Sequence, residues 1–353
     1  MRKRPSVTKS LLALASLLPL AWIVSAASTN PSDLSTREKH LKNILQLTRG
    51  GENAEAYFDF AGRRLIYQST RPPYQCDQIF MHDLKTGGVK LLSTGKGRTT
   101  CGYFLPDGKH VIYSSTHVGS EQCPPRPSYE RGYVWAIYKD YDIFEADLDG
   151  HIVRQLTRTE GYDAEATVSP NGKRIVFTSV RDGDLELYSM DLDGSNVRRL
   201  TYEPGYDGGA FYSPDSKKIV YRSSRPNSDE LVRYRLLLKE RLVEPRRLEI
   251  YLMDADGSNK RRVTNIGAAS FAPFFHPSGK KIIFASNTND PSGRNFDLYL
   301  INIDGTGMEQ ITFNETFDGF PMFSPDGKQL VFASNRNGKQ RGETNVFLAD
   351  WVE

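Results

Sequence analysis

Two glutamates, Glu55 and Glu165, stand at matching places in a chain that repeats itself, each five residues before a recurring anchor residue. Where two such carboxylates point into one channel they suit calcium or magnesium, which favour carboxylate and carbonyl oxygens. A second polar column stands seven residues before each anchor: Asn53, Thr99, Asp163, Asp207, Ser270 and Asp318. A ring of these groups could hold a cation or a basic peptide. Eleven residues after the anchors, however, stand Arg71, His117, Arg181, Arg225, Thr288 and Arg336. Each Asp of one column is matched by an Arg of the other. Asp163–Arg181, Asp207–Arg225 and Asp318–Arg336 therefore read as structural clamps, charge-assisted hydrogen bonds that fix a loop inside each unit.

Three cysteines, Cys76, Cys101 and Cys123, imply one disulfide and one free thiol in an oxidising compartment. Cys76 with Cys123 is the expected pair, because it would staple two long loops, with all three pairings open. No GxSxG, HExxH or CxxC occurs, and the six histidines are scattered along the chain. No catalytic residue is assigned on this basis. A catalytic site assembled from separated loops stays as the alternative.

The anchors that define these columns are Phe60, Pro106, Pro170, Pro214, Pro277 and Pro325. Two residues before each is a large apolar side chain, seven after is Tyr or Phe, and nine after is always Ser. Each unit reads as four strands: one ending at the anchor, a tight Asp-Gly-type turn, an alternating run, an aromatic run, and a short strand ending in Thr or Ser. Six such units give an all-β, six-bladed β-propeller over residues 43–353, because each sheet can bury its faces only against its neighbours. The last unit stops after its third strand, while ILQLTRGGENAE (Ile44–Glu55) matches RQLTRTEGYDAE (Arg154–Glu165). The N-terminal strand is thus expected to complete the sixth blade and remove an open edge.

Anchor spacings of 46, 64, 44, 63 and 48 residues place insertions in blades two and four, at about 117–141 and 225–248. Both fall between the second and third strands, on the face termed the top. The first carries Tyr133, Trp135 and Tyr138, rings able to stack on a sugar or grip a peptide. The second predicts a helix over Asn227–Glu244 bearing Arg233 and Arg235, stopped by Pro245. The recognition surface is expected between them.

Residues 1–27 read as a signal peptide: Arg2, Lys3, Arg4 and Lys9, an apolar stretch from Leu11 to Ile23, then small residues. An N-terminal extension, 28–42, follows. Four positive charges of the formal +3 belong to that signal, so the remainder is nearly neutral. That balance argues against nucleic-acid binding. The expected product is a monomer in the periplasm or secreted, with no membrane span after signal cleavage.

The unit SPNGKRIVFTSVRDGDLELYSMDLDGSNVRRLT (Ser169–Thr201) resembles the TolB-type, WD40-like propeller repeat, and the resemblance covers the mature chain. It implies the six-bladed fold and a channel cation, such as Ca2+, near Glu55 and Glu165. TolB carries an α/β domain before its propeller, whereas about 15 residues lie here between the signal and the closing strand. Such blades serve in envelope proteins, in gating domains of peptidases and in carbohydrate-active enzymes. The leading expectation is a non-enzymatic binding module taking a protein, peptide or glycan on the top face. The alternatives are an enzyme with a site at the channel mouth and a regulatory partner of a peptidase or envelope complex.

Overall fold

The computed structural model describes residues 36–128, 130, 132–290 and 292–353, so the expected signal peptide, 1–27, lies outside the described residues. Six four-stranded antiparallel sheets succeed one another around an axis, with an additional two-stranded ribbon. Blade three shows the unit plainly. Asp163–Val168, Arg174–Ser179, Glu186–Asp191 and Arg198–Arg199 pair in chain order. In every blade the first strand is innermost and neighbours the first strands of the adjoining blades.

The repeated columns have simple packing reasons. The aromatic residue seven after the anchor, Tyr67, Tyr113, Phe177, Tyr221, Phe284 or Phe332, is completely or almost completely buried between sheets. The Thr or Ser that ends the fourth strand accepts a hydrogen bond from the first inner residues of the third. Thr157 Oγ1 takes the N–H of Ile143 at 2.9 Å, and Thr201 Oγ1 that of Leu187 at 2.8 Å. A short outer strand is thereby tied to its sheet where ladder bonds run out.

The ring closes through the N-terminal strand. Leu41–Gln46 pairs antiparallel with Asn345–Trp351 as the outer strand of blade six. Thr48 plays the capping part here, its Oγ1 accepting the Val346 N–H at 2.8 Å. Just upstream, His40 stacks on Trp351 at 5.0 Å, and the buried Glu38 carboxylate accepts two bonds from Arg336 at 3.1 Å.

The helix of the second insertion is shorter than its sequence implies. It spans Ser228–Lys239 behind a capping box of Asn227 and Glu230, and it buries Tyr234 and Leu237. Arg241, at φ 59°, turns the chain out of the helix. Leu242 and Val243 then pair with Ala136 and Trp135 of the first insertion. Strand pairing between insertions, rather than Pro245, ends the helix. Among the described residues no helix is long and apolar enough to cross a membrane.

Candidate functional site at the channel mouth

The six innermost strands share one irregularity. Each ladder slips two residues beyond its clamp position, and the residue five before the anchor takes a left-handed backbone: Glu55, Cys101, Glu165, Gly209, Ala272 and Phe320, at φ between 50° and 58°. Five of the six are not glycine, and such conformations are costly for side-chain-bearing residues. The bulge re-aims these side chains, as bulges do, and all six line one cavity of about 1200 Å³ at the top of the channel.

The ring is chemically two-sided. Blades one to three contribute Glu55, Cys101 and Glu165. Blades five and six contribute Ala272 and Phe320, backed by Phe271, Phe296 and Phe317 with ring centroids 5.0–6.3 Å apart. Gly209 stands between the two halves and leaves room for a long cation, Arg222.

Glu165 is fully engaged. Its Oε1 accepts from the Tyr206 hydroxyl at 2.7 Å and pairs with Arg222; its Oε2 accepts from Thr178 Oγ1 at 2.7 Å and the Gly209 N–H at 2.8 Å. Burial pushes its carboxyl up, but the Arg222 charge and these bonds bring it below the usual carboxylate range. Glu55 occupies the same place in blade one without such a set. The Cys101 thiol hydrogen-bonds to it, and among the described residues no Lys, Arg or His forms an ion pair with it. Burial, reinforced by the negative charge of Glu165, pushes its carboxyl up to about 7. Burial likewise pushes the Cys101 thiol well up, so it stays protonated. Among the described residues no group of three or more His, Cys, Asp or Glu is placed to hold a metal ion.

The Asp–Arg clamps do not line this cavity. Arg181 Nη2 donates to both Asp163 oxygens at 3.1 and 3.0 Å, and Arg225 makes a two-pronged pair with Asp207 at 2.8 and 3.0 Å. Arg336 donates to Asp318 at 2.9 Å while also serving Glu38. The Arg181 and Arg336 guanidiniums also lie over the buried Phe177 and Phe332 rings, each at 5.1 Å. In blade one Arg71 finds Asn53 at 2.9 Å, and in blade five Ser270 and Ser286 share a hydrogen bond.

The insertions meet above the ring. Trp135, paired with Val243, stands edge-on to Tyr206 and Phe271, and Arg222 lies over its ring at 5.2 Å. Tyr133 is 65% exposed, its hydroxyl accepting from Trp135 Nε1 at 3.1 Å; the Tyr138 hydroxyl donates to the Pro125 carbonyl at 2.9 Å. All three rings line the cavity. Arg233 and Arg235 do not: Arg233 is held by Glu244 at 2.9 Å and Arg235 points to solvent. Arg246 and Arg247, just beyond the ribbon, line it instead. Cys76 and Cys123 are disulfide-bonded across the loops of blades one and two, and Cys101 is free. Nothing in the sequence marks Arg222, which stands eight after its anchor, where other blades carry Gln68, Ser114, Thr178, Ala285 and Ala333.

Residues 241–342 match the family model of the TolB β-propeller domain. These blades are similar to the TolB repeat. Residues 127–236 also match the N-terminal β-propeller domain of Tricorn protease. Among solved structures, a putative TolB from Agrobacterium tumefaciens is similar over 88% of this chain and 97% of that one, at 19% identity and TM-score 0.57. TolB from Acinetobacter baumannii is similar over 85% of this chain and 64% of that one, at 22% identity and TM-score 0.52. A gluconolactonase from Xanthomonas campestris covers 88% and 89% at 12% identity and TM-score 0.57. At these identities the likeness is one of fold.

Proposed function

We propose that this TolB-like propeller is an exported binding module that accepts an extended peptide segment of a partner protein into the top of its channel. The observation that carries this reading is the ribbon Trp135–Ala136 with Leu242–Val243, which joins two separate insertions beside a cavity of about 1200 Å³. Loops of this length in a compact domain generally serve function, and aromatic and Arg side chains are the usual anchors of an interface. The Phe271, Phe296, Phe317 and Phe320 wall suits an apolar side chain, and the opposite wall suits the peptide's polar groups. Export to the periplasm or the exterior fits the basic and apolar N-terminal segment.

Peptide arrays followed by titration monitored through tryptophan emission test the proposal. Beyond residue 27 the chain has only Trp135 and Trp351, and Trp351 is buried in blade six, so a ligand in the cavity changes the Trp135 component. Trp135→Ala should abolish both the signal and calorimetrically measured binding. Unchanged binding by that variant would sink the reading.

A second reading, an enzyme at the same mouth, is favoured by one observation. The Glu55 carboxyl, near 7, is poised for proton transfer at neutral pH. Turnover of a lactone or oligosaccharide that is lost in Glu55→Gln would support it.

A further inference from the structure

The two carboxyls of the bulge ring are equivalent by position and opposite in state. Glu165 has its cation built in, since Arg222 fills the channel beside it and Tyr206, Thr178 and the Gly209 amide complete its shell. Glu55 faces the same cavity with a neutral thiol as its hydrogen-bonding neighbour. Tyr57 and Phe211 line the same cavity as an aromatic floor, with Tyr103 packed against both, centroids 5.4–6.0 Å apart. A carboxyl held in a cavity over aromatic faces, with no cation of its own, has the two elements that attract an organic cation: a charge-assisted acceptor and negative ring faces.

We propose that Glu55, with the Tyr57–Phe211 floor, is a receptor for a primary ammonium group, supplied by the ligand's N-terminus or by a lysine side chain. This deepens the peptide-binding reading and rests on it. The compact ammonium matches the site because the channel beside Glu165 is already occupied by a guanidinium, and a single carboxylate with one aromatic floor serves a point charge well. A divalent cation would want several more oxygens than Glu55 supplies.

Binding is then coupled to proton release. The charged groups facing Glu55 are Glu165 and Asp77, which raise its affinity for a proton, and Arg222, which lowers it; Cys101 and Tyr57 stay neutral. An arriving ammonium must displace the proton held below about pH 7. Affinity for an alkyl or lysine ammonium should therefore rise with pH up to that region and level off above it, while an N-terminal amine, which loses its own proton near pH 8, should weaken again.

The experiment is calorimetric titration of the intact protein, at pH 5.5 and 8, with n-pentylamine and its neutral counterpart 1-pentanol. Two further arms use Ala-Ala-Phe amide with free and acetylated N-terminus, and acetyl-Ala-Lys-Phe amide. The expected result at pH 8 is roughly tenfold preference for the amine over the alcohol, as one charge-assisted hydrogen bond would give. The preference should shrink at pH 5.5 and vanish in Glu55→Gln. The peptide arms assign the source: loss on acetylation means an N-terminus, and rescue by the Lys peptide means a side chain. Equal affinity of amine and alcohol, or an amine preference that survives Glu55→Gln in a protein of native melting temperature, overturns the ammonium site. Peptides that bind through Trp135 but ignore both acetylation and Glu55→Gln would overturn it while leaving the peptide-binding reading standing.

Discussion

Arg222 lies in the space that a side chain on Gly209 would need: its Cζ is 2.8 Å from where a Cβ on that glycine would stand. Gly209 is also the only glycine among the six left-handed bulge residues, so blade four alone admits a cation from its second strand into the channel. Gly209→Ala should expel Arg222, leave Glu165 without its charge partner and destabilise the fold by about 2–4 kcal/mol. Urea unfolding of Gly209→Ala, alone and with Arg222→Ala, checks this. On top of Arg222→Ala, Gly209→Ala should cost little more, because the Glu165 partner is already gone; additive penalties would show that the glycine is needed for its backbone alone.

The clamps are expected to hold structure rather than ligand. Asp207→Ala strands the Arg225 guanidinium and should cost about 1–3 kcal/mol, with ligand binding by the folded fraction unchanged. Lost binding at an unchanged melting temperature would make Asp207 a ligand residue. At Arg336, which serves both Asp318 and Glu38, replacement by Ala should cost more than the equivalent change at Arg225 in the same unfolding assay, because two buried carboxylates lose their cation.

Several carboxyls are pushed up by burial in the folded state: Glu55, Glu186 and Asp297 to about 7, Asp142 and Asp207 to about 6. The folded chain keeps protons there that the unfolded chain releases near its ordinary carboxylate values. Raising the pH between those two limits therefore lowers stability. Thermal melts should give a lower melting temperature at pH 8 than at pH 5.5. Glu55→Gln removes one such group, so the variant should gain on the wild type as pH rises; a constant difference across the range would contradict the assignment to Glu55.

The ring closure was legible because strand sequence repeats: the segment around Leu45 reads like that around Gln155, and both serve as outer strands. The channel column was visible as well, through Glu55 and Glu165, but its bulge was not. Cys101, Ala272 and Phe320 carry no sequence mark of a left-handed backbone, which here is imposed by the ladder around them. Arg222 was hidden in an alternating strand, and Glu38 precedes its partner Arg336 by 298 residues, beyond the reach of any local pattern. The two-residue strands at Trp135 and Val243 are too short to announce themselves, so the insertions could be assigned to one face but not to a shared ribbon.

If ligand is held under the joined insertions, removing them must release it. Residues 124–138 and 227–246 would be replaced by short Gly-Ser connections, keeping Cys123 for its disulfide with Cys76. The affinity of the tightest array peptide is then measured calorimetrically against the wild type. The expected product is a folded propeller with its β circular dichroism intact and an affinity at least roughly 100-fold weaker, the scale of losing two or more anchor side chains. A trimmed protein that binds the same peptide with its original affinity would contradict that placement of the ligand.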